Sequence, residues 1–365
     1  MLKVLTGKDI RESFRRYGCR TAAAVLLLVF CIVLSSCGGT AKRFRTEAEE
    51  SVMAMDPNMG DWQGGWKLSD GSGSGPLAAQ VIALGKGEYK ANLLEAFDTE
   101  KKTKPMGVLE GRLEDGAVSL EGKARHGEID FDVKARIEGG KFTGTFAGGN
   151  ADRKFTLNRV FRVSPTMGAK PPKGAVVLFD GKDFEEWKRA TVKEGESDAV
   201  GWELVDEAMR VTKGGGSIIT RKKFADIKLL HIEFRGPFMP NARGQGRGNS
   251  GVYLQGRYEV QVLDSYGLKG ESNECGGIYG VKAPKVNMCA PPGQWQTYDI
   301  TFRAATAESK PTLTVRHNDI LIQDKTEVGK TTASGLGGKA TEPAGIYLQD
   351  HGNAVEYRNI WLVEQ

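Results

Sequence analysis

The chain has 365 residues and a formal net charge of +5, but Lys3, Lys8, Arg11, Arg15, Arg16 and Arg20 against Asp9 and Glu12 place +4 of that in residues 1–36, leaving +1 for the remainder. Such a balance excludes nucleic acid as a partner, because phosphate binding needs a concentrated basic surface. The chain beyond residue 36 is long enough for two domains.

The basic start precedes an apolar run from Ala22 to Leu34 and then Leu34-Ser35-Ser36-Cys37. This resembles a lipoprotein signal peptide with its lipobox, which makes residues 1–36 a removable leader and Cys37 the lipidated N-terminus. The expected location is the cell envelope, anchored to the membrane on its periplasmic or extracellular face. The run is shorter than the ~20 residues a transmembrane helix needs, with an uncleaved anchor as the alternative. Arg15-Arg16 is a faint sign of twin-arginine export.

Of the five cysteines, Cys19 and Cys31 leave with the leader and Cys37 takes the lipid. Cys275 and Cys289 remain, and in an exported chain a disulfide closing a short loop is expected for them. A two-cysteine metal site is the rival, although no histidine lies near either.

Residues 37–57 are polar with little periodicity, as a tether would be. Residues 58–162 are short strands and turns. Ile129 to Ile137 alternate apolar residues with aspartate, lysine and arginine, the period of a strand with one wet face. A small antiparallel β barrel or sandwich is predicted, with no catalytic constellation: His126 stands alone in a turn, and a carbohydrate-binding or spacer role is the most the segment suggests. Residues 163–174, with Pro165, Pro171 and Pro172, form a Pro-rich linker.

From residue 175 to 365 a second all-β domain is predicted. Leu230, Ile232 and Phe234 alternate with His231, Glu233 and Arg235, and Ile346 and Leu348 with Tyr347 and Gln349. Two apolar faces packed together leave the polar sets outside.

The sharpest stretch is Asn249-Ser250-Gly251-Val252-Tyr253-Leu254-Gln255, a Gly256-Arg257 break, and Tyr258-Glu259-Val260-Gln261-Val262-Leu263-Asp264. It reads as a hairpin with Val252, Leu254, Val260 and Val262 packed inward and Tyr253, Gln255, Glu259 and Gln261 on a cleft face. For Gln255 to share a face with Glu259 the turn must hold an odd number of residues, so a three-residue Gly-Arg-Tyr turn or a bulge is expected. Gly244-Gln245-Gly246-Arg247-Gly248 has the look of a dinucleotide fingerprint but no strand–helix setting, and reads as a mobile loop beside the cleft.

Val176-Val177-Leu178-Phe179-Asp180-Gly181, Gly201-Trp202, the Asn249–Asp264 hairpin, Gly277-Ile278-Tyr279-Gly280, Pro292-Gly293-Gln294-Trp295, Gly345 to Gly352 and Arg358-Asn359-Ile360 together resemble the 3-keto-disaccharide hydrolase family. The resemblance implies a concanavalin A-like jelly-roll sandwich with a sugar-binding concave face, and an enzyme acting on 3-keto-glycosides. In that chemistry a ketone at C3 acidifies the C2 proton, abstraction followed by loss of the C1 substituent cleaves the glycosidic bond, and water adds back. It needs a base near C2, a group that steadies the enolate oxygen, and an acid at the leaving oxygen.

Glu259 is the expected base, provided partial desolvation lifts its pKa; otherwise it pairs with Arg235 or Arg358 to hold the sheet. His351 is expected as acid or metal ligand, against a plain turn histidine, and Arg358 at the keto oxygen, against a pair with Asp264 or Glu356. Glu233 is the second carboxylate, which at ~5.5 Å from Glu259 suits a retaining glycosidase and at ~6.5–9.5 Å an inverting one. Asn249, Tyr253, Gln255, Gln261, Asp264, Trp295 and Gln349 are candidate substrate contacts, Trp295 by stacking on a pyranose. No cofactor is expected, and a divalent cation on Asp264, Glu274 and Asp350 stays open. The partners expected are an oligosaccharide or glycoside substrate, the membrane through the lipid, and a sugar 3-oxidoreductase acting upstream. A non-catalytic glycan-binding lipoprotein and an ordinary glycosidase on unoxidised polysaccharide are the alternatives.

Overall fold

The computed structural model describes residues 42–100, 102, 104–149 and 151–365; the leader and Cys37 lie outside them. Residues 42–47 belong to a separate unit and are helical, and residues 48–365 form one compact unit. That unit opens with helical residues 48–55 where an irregular tether was expected. Ala48 and Val52, one turn apart, are buried, and Val52 reaches the core of the first domain. Among the described residues no helix is long and apolar enough to cross a membrane.

The first domain is a closed antiparallel barrel. Its strands are β1 (Gly60–Leu68), β2 (Ser74–Gly85), β3 (Glu88–Leu94), β4 (Gly107–Glu114), β5 (Ala117–His126), β6 (Ile129–Glu138), β7 (Lys141–Ala147) and β8 (Arg153–Val160), with β8 pairing back onto β1. Alternation decides what fills it: Phe131, Val133, Ala135 and Ile137 point in while Asp130, Asp132, Lys134 and Arg136 meet solvent. Strand crossings are close enough to demand glycine, since a Cβ at Gly111 would lie 1.8 Å from the Ser119 carbonyl oxygen.

The second domain is a two-sheet sandwich. Its strands are β9 (Val176–Phe179), β10 (Trp187–Arg189), β11 (Glu203–Val205), β12 (Ala208–Arg210), β13 (Ile218–Thr220), β14 (Ile227–Arg235) and β15 (Ser250–Leu254). They continue with β16 (Tyr258–Val262), β17 (Gln296–Arg303), β18 (Thr312–His317), β19 (Ile320–Glu327), β20 (Tyr347–Leu348) and β21 (Glu356–Glu364). One sheet has five strands in the order β10-β13-β20-β15-β16 and the other runs β11-β12-β21-β14-β17-β18-β19, with β9 also on β21. A single apolar core lies between them, taking Leu230, Ile232, Phe234 and Ile300 from the larger sheet and Val252, Leu254, Val260 and Leu348 from the smaller.

Side-chain contacts tie barrel to sandwich. Asp61 on β1 accepts hydrogen bonds from the Tyr266 hydroxyl at 2.7 Å and from Arg162 at 2.6 Å, and Ile82 on β2 joins the sandwich core. The linker lies on the outer face of the larger sheet, with Thr166 Oγ1 donating to Asp299 at 2.8 Å and the Gly168 amide donating to Glu233 at 2.6 Å.

The expected disulfide is absent. Cys275 and Cys289 are buried free thiols in mutual hydrogen-bond contact, and Cys275 also meets the Tyr298 hydroxyl at 3.1 Å. Both behave as small core residues within the sandwich.

Candidate active site

The hairpin turn has an odd number of residues, but one position earlier than expected. Leu254 pairs with Tyr258, Tyr253 with Glu259 and Gly251 with Gln261, so the turn is Gln255-Gly256-Arg257. Tyr253, Glu259 and Gln261 therefore share the outer face of the smaller sheet. Gln255 does not: it sits in the turn at φ 52°, and its amide donates to the Phe224 carbonyl and accepts from Arg257.

Register extends this face across the sheet. Tyr347 pairs with Tyr253, whose rings meet edge-on at 4.8 Å, and the Gln349 amide N–H donates to the Gly251 carbonyl. Two rows result, Tyr347–Tyr253–Glu259 and Gln349–Gly251–Gln261. Glycine in the middle of the second row leaves a notch, and the Glu259 carboxyl leans into it: a Cβ at Gly251 would lie 2.4 Å from Glu259 Oε1. Gly251→Ala is thus expected to push the carboxyl out of place and lower turnover about 10²-fold, with little effect on substrate KM, as steady-state kinetics will show.

Glu259 is 2% exposed. Burial, only partly offset by a hydrogen bond from Tyr253, raises its carboxyl pKa from 4.5 to about 8. The Tyr253 hydroxyl accepts from Gln349 Nε2 at 3.2 Å and donates to the Ala333 carbonyl at 3.1 Å. Burial and the neighbouring Glu259 push its own pKa well up. Gln261 Nε2 donates to Asn249 Oδ1 at 2.9 Å, while among the described residues Gln261 Oε1, buried on the same face as Glu259, has no partner. An unpaired buried acceptor beside a titratable carboxyl is what a substrate hydroxyl would complete.

His351 is exposed in the turn after Gln349, and that turn is tied down by Asp350, whose carboxylate accepts from the Gly216 and Gly352 amides. Asn249 is buried under the same rim, donating to the Gln245 carbonyl at 2.8 Å. The Gly244–Gly246 segment is a 3₁₀ turn anchored through Arg247, which pairs with Asp264 at 2.6 Å in a buried ion pair. Asp264 is thereby a loop anchor rather than a substrate contact. Burial raises its pKa against the pull of Arg247. Glu274 caps the Gly270 and Glu271 amides, so Asp264, Glu274 and Asp350 each hold a separate piece of backbone or side chain and do not converge. Among the described residues no group of three or more His, Cys, Asp or Glu side chains is placed to hold a metal.

The other expected catalytic residues lie elsewhere. Glu233 and Arg358 alternate with core residues of the larger sheet, so they face away from the core on the opposite side of the sandwich from Glu259. Arg358 Nε donates to Glu233 at 2.7 Å, Asn359 donates to it at 2.8 Å, and His231 lies between it at 3.6 Å and Asp299 at 2.7 Å. Burial would raise the Glu233 pKa, but His231, Arg358 and Asn359 hold it at about 2. Burial would likewise lower His231, but Asp299 and Glu233 raise it to about 9. Trp295 belongs to this cluster, with Arg358 4.1 Å and Arg235 4.7 Å from its ring centre. It is an ionic clamp beneath the linker. Sequence reading missed Tyr347, although its alternation was visible, and the Ala333 carbonyl, whose loop carries no periodic signal.

A recessed carboxyl with tyrosines and amides on one outer face of a two-sheet jelly roll suits a carbohydrate-active enzyme. The chain belongs to the family of 3-keto-α-glucoside-1,2-lyase-like domains, matched over residues 174–363. It is similar to a candidate glycosyl hydrolase from Parabacteroides distasonis, 36% identical over 53% of this chain and 85% of that one, with a TM-score of 0.47. A second candidate glycosyl hydrolase from the same organism is 19% identical over 53% of this chain and 94% of that one, at a TM-score of 0.40. No curated protein matches the chain.

Proposed function

We propose that the protein cleaves 3-keto-glycosides by β-elimination and rehydration, with Glu259 as the base. The observation that carries this reading is Glu259 itself: a desolvated carboxyl with a pKa near 8, next to an unpaired amide oxygen, with Glu233 on the far side of the core. Hydrolysis by two carboxylates needs the pair within ~5–9.5 Å across one substrate, and an elimination needs a single base.

In this mechanism ionised Glu259 takes the C2 proton and the C–H electrons form the enolate of the C3 ketone. The enolate expels the C1 oxygen substituent, leaving a C1=C2 double bond conjugated to the ketone, and the departing oxygen takes a proton. Water then adds, hydroxyl to C1 and hydrogen to C2, which returns the 3-keto sugar. The Tyr253 hydroxyl beside Glu259, backed by the Gln349 amide, is the donor for the enolate oxygen, in place of Arg358, which is committed to Glu233. His351, on the rim, is the proton donor to the leaving group. The substrate ketone comes from an upstream sugar 3-oxidoreductase, and export with lipid attachment at Cys37 puts the enzyme in the cell envelope.

The test pairs a chromogenic 3-keto-glucoside with its unoxidised glucoside. Release from the ketone substrate alone is expected. Equal release from both, or glycan binding without release, would sink the proposal.

A further inference from the structure

We propose that the seam between barrel and sandwich is a second binding site, for an acidic saccharide bearing carboxylates. This rests on observations separate from Glu259. A cleft of about 530 Å³ opens between the outer face of β3 and the sandwich segments at residues 267–269 and 286–287, a size suited to a small ligand. Its walls are held by contacts that cross the seam. Asn92 Nδ2 donates to the Gly267 carbonyl at 2.7 Å, and a Cβ at Gly267 would lie 2.6 Å from Ile82.

Charge in the cleft is lopsided. Lys90, Lys102, Lys104, Lys269 and Arg162 line it against a single acid, Asp98, which has its own partner. Arg162 is matched by Asp61 at 2.6 Å and Lys269 by Glu271 at 2.8 Å, while Lys102 donates to the Gly270 carbonyl. Among the described residues Lys90 and Lys104 have no ion-pair partner. Glu110, opposite Lys90 across the β3–β4 ladder, is outside the lining. Lys90 and Lys104 thus line a cleft whose single carboxylate, Asp98, has its own partner, which favours a ligand that brings its own.

The rest of the lining fits a sugar ring rather than a bare anion. Gln80 supplies an amide for hydroxyls, and the exposed Val108 and Leu268 supply apolar patches for a pyranose face. Arg162 lies 4.2 Å from the Phe97 ring centre, so its guanidinium plane is steady. The barrel then has a role of its own: it holds an acidic chain while the sandwich works on a glycosidic bond.

Isothermal titration of the full chain in detergent with tetragalacturonate, and with neutral maltotetraose as control, tests this. Tetragalacturonate is expected to bind, maltotetraose not, with affinity falling as salt is added. Lys104→Glu, at an exposed position, is expected to weaken binding by about tenfold, and Lys90→Glu similarly. Glu259→Gln is expected to leave it unchanged, which keeps this proposal distinct from the catalytic one. Equal binding of both tetrasaccharides, no binding of either, or wild-type affinity in both lysine variants with an unchanged melting temperature would overturn it. Should Lys90→Glu fold poorly, Lys269→Ala is the second variant, with the same expected sign.

Discussion

Glu259→Gln is expected to abolish cleavage of a 3-keto-glucoside, by roughly 10²–10⁴-fold in kcat/KM, and at the same time to make the protein more stable at alkaline pH. Both effects stem from one burial. In the wild type, kcat/KM should rise with pH and level off above a midpoint near the Glu259 pKa of about 8, since only the ionised form removes a proton. The residual activity of the variant should lack that limb. As for stability, the folded chain keeps a proton on Glu259 that the unfolded chain releases from pH 4.5 upward. Wild-type stability is therefore full below 4.5, falls as pH rises toward 8, and is level beyond it. A neutral amide removes this dependence. Urea titrations at pH 4 and pH 9 should show little difference at the first and a gain on the order of a few kcal/mol at the second. A variant less stable at pH 9 would mean that the carboxylate is welcome where it sits, and the base assignment would fall.

Gly251 ties that chemistry to the fold. Its lack of a side chain allows Glu259 to lean inward, and the sheet register that sets it opposite Gln261 also sets Tyr253 opposite Glu259. Slip the hairpin by one residue and the carboxyl enters the apolar core.

Much of this was legible in the sequence, for a stated reason. Alternation with period 2 says which residues leave the core, and it sorted Val252, Leu254, Val260 and Val262 from Tyr253, Glu259 and Gln261 correctly. A sandwich, however, has two outer faces, and alternation cannot say which one a strand supplies. Glu233 and Glu259 look alike on that criterion; only the pairing of β14 with β17 and β21, and of β16 with β15, puts them on different sheets. Gln255 failed for another reason, a left-handed backbone at φ 52° that Gln seldom adopts and that moved the turn back by one residue. The cysteine pair was misread because export argues for oxidation in general, whereas two buried thiols can fill a core as they stand.

That separation of faces supplies the second large effect. Glu233→Gln should cost about 3–5 kcal/mol of stability yet leave turnover per folded molecule unchanged. Glu233 accepts from Arg358, Asn359 and the Gly168 amide, and an amide NH₂ in its place would face donors with a donor. Removing the charge leaves His231, fully buried, and Arg358, 18% exposed, without their common carboxylate. The pH signature has two edges. Glu233, lowered to about 2, stabilises above pH 4.5 and loses its contribution as pH falls through 2. His231, raised to about 9, stabilises below pH 6.5 and loses its contribution as pH rises through 9. The difference between wild type and variant should thus be widest between about pH 4.5 and 6.5 and shrink on either side, as urea midpoints across pH will show. Intact folding with cleavage lost would instead make Glu233 catalytic and return the two-carboxylate mechanism to contention.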